Sequence, residues 1–134
     1  MKRRHDWPEC LIAYRHGRAR TPFAWGVNDC VTLAADWVLE AAGVDPLGDL
    51  RGQWDTAAGA ARLLRDLGGM HSAVSDRLGP ALESPKLASR GDVAMLDLER
   101  GETLGVVVGT HAIAPGADGI LLVPMSRASA AWRV

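Results

Sequence analysis

The chain has 134 residues, 15 Lys and Arg against 16 Asp and Glu for a net charge of -1, and 48% hydrophobic residues. A chain of this length builds one domain around one core, and the composition excludes a disordered or collagen-like polypeptide. The near balance of charge excludes a global field that would draw the protein to nucleic acid or to an acidic membrane, and no apolar run reaches the ~18 residues of a transmembrane helix.

The basic start Lys2, Arg3, Arg4 runs directly into His5, Asp6, Pro8 and Glu9. That leaves no room for the apolar stretch of an export signal, so synthesis in the cytoplasm without a signal peptide is expected, and the basic cluster reads as a solvated tail. A first helix is predicted from an Asp6 cap, with Pro8 in its first turn, Trp7, Leu11 and Tyr14 on one face, and Gly17 as its stop. Residues 18–27 form an irregular connector with Phe23 and Trp25 as apolar anchors. A central helix follows, capped by Asn28 or Asp29. It carries Cys30, Leu33, Ala34, Trp37, Val38 and Ala41 as one stripe and ends at Gly43.

Residues 44–55 read as a loop that packs through Leu47, Leu50 and Trp54. Thr56 then caps a third helix with Ala57, Ala60, Ala61, Leu64 and Leu67 on one face, closed by Gly68-Gly69. A short helix over 72–78 and a Pro- and Ser-containing linker over 80–90 come next. The period then changes to two, with strands at 93–96, 104–108, 112–114 and 120–123. The joins 99–102, 109–110 and 115–119 have hairpin character, so the sheet is expected to be antiparallel. Helices first and strands second make an α+β fold, a single domain over 1–134. The five tryptophans Trp7, Trp25, Trp37, Trp54 and Trp132 read as core and loop anchors.

The segment carrying chemistry is Thr21-Pro22-Phe23-Ala24-Trp25-Gly26-Val27-Asn28-Asp29-Cys30. Gly26 permits a tight turn, Asn28 or Asp29 caps the helix, and Trp25 offers an apolar wall. A cysteine in a helix's first turn meets free backbone N–H groups that favour its thiolate. A buried small apolar residue heading the stripe is the competing reading of Cys30, and free Cys is among the most buried residue types. Cys10 and Cys30 read as free thiols rather than a disulfide. Neither cysteine lies in a CxxC and the four histidines are scattered, so neither a metal nor a cofactor is expected.

The aromatic, then Trp25-Gly26, a short spacer and Asp29-Cys30 resemble the NlpC family of papain-like cell-wall peptidases. The resemblance continues at Arg90-Gly91-Asp92-Val93-Ala94 and at Leu104-Gly105-Val106-Val107-Val108-Gly109. With the Asp45-Pro46 and Arg51-Gly52 loop and the closing Ala131-Trp132-Arg133-Val134, the layout is similar to small phage-encoded relatives found among tail genes. The resemblance implies helices packed on a small antiparallel sheet, Cys30 at the nucleophile's position, and a histidine base on the second strand, at Thr103. Threonine cannot act as a base. His111 is the substitute, displaced by about 15 Å along the strand, while His5, His16 and His71 read as locally bonded or solvent-facing.

The resemblance therefore implies a phage tail-tip or tail-assembly protein, carried in the virion among other tail proteins, with an incomplete catalytic site. The alternative is an active cysteine peptidase or amidase cleaving peptidoglycan, with Cys30 and His111 catalytic and Trp25, Gly26 and Asp29 supporting. Neither nucleic-acid binding nor membrane insertion is expected.

Overall fold

The computed structural model describes residues 1–134. In chain order the elements are α1 (Trp7–Arg18), α2 (Cys30–Ala42), α3 (Ala57–Asp66), α4 (Met70–Leu78), β1 (Val93–Leu98), β2 (Gly101–Val107), β3 (His111–Gly116), β4 (Gly119–Pro124) and β5 (Ala128–Trp132). Single 3₁₀ turns lie at Pro85–Leu87 and Met125–Arg127. The strands form one antiparallel sheet in the order β4-β3-β2-β1-β5. The α+β segregation expected from the change of period is present.

The central helix owes its place to both ends. Asp29 accepts a hydrogen bond from the Thr32 backbone N–H while Thr32 Oγ1 accepts one from the Asp29 N–H, a reciprocal capping box, and Gly43 closes the other end at φ +72°. Leu33, Ala34, Trp37, Val38 and Ala41 are buried as the stripe predicts, and Ala35 is buried on a second face, against Leu47, Leu50 and Trp54. Trp37 and Trp132 are fully buried, and the Trp37 indole donates to the Gly91 carbonyl at 2.8 Å. Trp25, expected as an anchor, instead remains 40% exposed and meets Phe23 edge-on.

Three other expectations are corrected. Asp6 does not cap α1 with its side chain, because its carboxylate is engaged by Arg4, and the helix runs one residue past Gly17. Arg3 is not part of a solvated tail: it pairs with the fully buried Asp92 at 2.7 Å and donates to the Val134 carbonyl at 2.7 Å. Asp92 also accepts from the N–H groups of Ser89 and Val134, so one carboxylate joins both terminal segments to the start of β1. Finally, β5 was not expected as a strand, since Ala-Ser-Ala-Ala carries little β propensity; pairing with β1 imposes it.

Candidate functional site

The loop before α2 is shaped around Asp29. Gly26, at φ +77°, donates its N–H to the Asp29 carboxylate, and an added Cβ there would collide with the Trp54 carbonyl oxygen. The Trp54 indole N–H donates to the same carboxylate at 2.7 Å. Asp29 is 1% exposed, with both oxygens bonded, and its work is positional: it holds the Gly26 turn, the helix start and the 44–55 loop together. Asn28 holds the other side of the turn, donating to the Thr21 and Pro22 carbonyls and accepting from Arg18. Arg18 also pairs with Asp36, which Arg51 bridges to Asp45.

Cys30 follows the cap, half-buried, with its sulfur beside the Leu104 backbone N–H on β2. Burial pushes the thiol up to about 11. The Leu104 N–H pulls it down, the Asp29 charge adds to the rise, and Arg100 offsets part of it. The thiolate character expected from the helix start is therefore absent: the sulfur is taken out of water, and that penalty exceeds what the N–H groups return.

The site residues divide. Trp25, Asp29 and Cys30 line one cavity with Leu104 and Glu102, and Gly26 supports it from the turn. His111 lies elsewhere. It opens β3 at the far end of the β2–β3 hairpin, opposite Pro124 on β4, with Nδ1 3.0 Å from Thr110 Oγ1 and its carbonyl accepting from the Val108 N–H. Four residues of strand separate Leu104 from Val108, about 13 Å. His71 packs against Trp132 at 5.2 Å between ring centres, and His5 and His16 are exposed on or beside α1. No three His, Cys, Asp or Glu side chains converge on a point where a metal ion would be held.

Thr103, the position where the resemblance places a base, is buried on the other face of β2. It pairs with Leu96, and its hydroxyl sits between Arg100 Nε and the Gly101 carbonyl. Alternation along the strand gives the Cys30 face to Glu102 and Leu104. Glu102 is the site residue that sequence reasoning missed. The signal was its position two residues before Leu104, on the same face of a strand.

The cavity extends from Cys30 beneath α3, with a volume of about 240 Å³, bounded by α2, α3, α4 and the start of β2. Its surface is apolar apart from Asp29, Cys30, Arg77 and Glu102. No helix of the protein is long and apolar enough to cross a membrane. No curated protein matches the chain. Residues 2–134 match a family described as a domain of unknown function, DUF6950, and the chain belongs to that family.

Proposed function

We propose that this protein is a structural component of a phage tail, at the tip or in its assembly, built on an NlpC-type papain-like fold whose catalytic site is incomplete. One observation carries the reading: Cys30 heads the central helix against the second strand, where a nucleophile would stand, yet its thiol is held protonated and no imidazole lies beside it. A cysteine attack needs both a thiolate and a base within hydrogen-bond reach. The partners in this reading are other tail proteins, and the place is the virion.

The peptidase alternative draws on the Leu104 N–H beside the sulfur, a donor that would also stabilise a thiolate. Purified protein incubated with cell-wall peptidoglycan near neutral pH is expected to release no new amino groups, and Cys30 is expected to resist iodoacetamide. Release of amino groups that Cys30→Ala abolishes would establish the peptidase instead. Mass spectrometry of purified phage particles from a strain carrying the gene tests the tail role: the chain is expected in stoichiometric amounts with tail proteins, and its absence from particles and tail intermediates overturns the assignment.

A further inference from the structure

The cavity under α3 opens to solvent beside Cys30, and the tail assignment gives its almost wholly apolar walls no role. Protein interiors carry few voids bigger than a water molecule, and an engineered apolar cavity of roughly 150 Å³ already takes up benzene. Here the volume is about 240 Å³. α3 lies over it with no fully buried residue: Ala60, Leu63 and Leu67 pack in part against Leu47, Leu50 and Trp54, and Ala57, Ala61 and Leu64 also turn toward the space. An amphipathic helix ordinarily covers its apolar face with protein.

The lining separates into floor and mouth. Ala34, Val38, Leu50, Trp54, Val74 and Leu104 are buried and make the floor. The most exposed lining residues are Trp25, Ala57, Ala61 and Glu102, and they mark the mouth. Of the charged groups on the lining, Asp29 is spent on the helix cap and on Trp54, and Arg77 is held by Asp49 and the Pro46 carbonyl. Arg100, near the sulfur, is committed to the Pro115 carbonyl and the Phe23 ring. Glu102 is exposed at the mouth and has no hydrogen-bond or ion-pair partner. A free carboxylate and an accessible indole lining one cavity suit a cation, and the floor suits an alkyl chain.

We propose that this cavity binds a small amphipathic cation, its aliphatic chain of about six to eight carbons lying on the floor and its ammonium head held at the mouth by Glu102 and Trp25. The site is independent of the tail assignment and stands whether or not that assignment does. An alkanoate of the same length would set its charge against Glu102, and an alkanol would fill the floor without using the rim.

The test is an amide-shift titration of the whole chain with n-alkylammonium ions of increasing length, kept below micelle formation, beside the matching alkanols and alkanoates. Affinity is expected to rise about three- to fourfold per methylene and to level off once the cavity is full, with shifts centred on α3, Trp25 and the start of β2. Ammonium is expected to bind tighter than alkanol and alkanoate weakest. Glu102→Gln should lower ammonium affinity about two- to fivefold and leave the alkanol unchanged. Ala60→Leu should move the plateau to shorter chains, and Leu64→Ala, which needs no extra space, to longer ones. No saturable binding, a plateau indifferent to both cavity variants, or equal binding of all three head groups with Glu102→Gln silent would each overturn the proposal.

Discussion

α2 and α3 have similar sequence patterns, alanines and leucines at steps of three and four, but they meet different surroundings. α2 buries seven residues between the sheet and the 44–55 loop, whereas α3 buries none and spans a cavity. Much of the difference lies in the reach of the side chains. The α2 stripe includes Trp37, Leu33 and Val38, which fill the space to the sheet, while the α3 face begins with the short Ala57, Ala60 and Ala61, and its Leu63 and Leu67 pack only partly buried against Leu47, Leu50 and Trp54. A periodic pattern gives the direction of a helix face. The volume of its side chains decides whether that face is packed.

The polar groups of the packed side are as tightly committed as its apolar ones, and the largest expected effect is there. Asp92→Ala would strand the Arg3 guanidinium and the N–H groups of Ser89 and Val134, and should cost about 3–5 kcal/mol in urea unfolding. A loss below about 1 kcal/mol would mean that water takes over the site, and that this side is looser than its burial indicates. Next, Leu33→Ala, at 0% exposure in the α2 stripe, should cost about 3 kcal/mol through lost transfer energy and a new cavity.

Much of this comparison was legible before the structure. The caps at Asp29, Thr56 and Gly43, the α2 stripe, the loop anchors Leu47, Leu50 and Trp54, and three hairpins all follow from residue chemistry that acts within a few positions. What was not legible depends on distant partners. The pairing of Arg3 with Asp92 spans 89 positions, β5 is a strand only because β1 lies beside it, and the thiol of Cys30 is governed by how completely Leu104 and its neighbours desolvate it. Glu102 stands one residue from Thr103, where the resemblance places a base, and a one-residue step in a strand changes the face.

The boundary between the two regions is Cys30, and pH examines it. Its folded value is raised from near 9 to about 11, so the thiol stays protonated in the fold while the unfolded chain ionises. Below the unfolded value there is no effect. As pH rises from there through the folded value, the unfolded state releases a proton that the fold retains, and stability falls, by about 2 kcal/mol at pH 11. Unfolding curves of the chain and of Cys30→Ala should therefore converge or cross in that alkaline range and run parallel below it. A difference that instead changes near neutral pH would place the thiolate within reach of catalysis and weaken the structural reading.

The smallest expected effect is also the sharpest test of the contrast between the helices. Leu64→Ala removes the same atoms as Leu33→Ala, from a helix of the same kind. Leu64, however, is half-buried and faces a space that is already open, so its side chain has fewer neighbours to lose and the residual cavity it leaves is an enlargement rather than a new void. The cost should stay below about 1 kcal/mol, a third or less of the Leu33 value. Thermal unfolding of the two variants side by side measures the ratio without reference to any absolute stability. If Leu64→Ala costs about as much as Leu33→Ala, α3 packs in solution as α2 does, the cavity closes, and the difference between the two helices disappears.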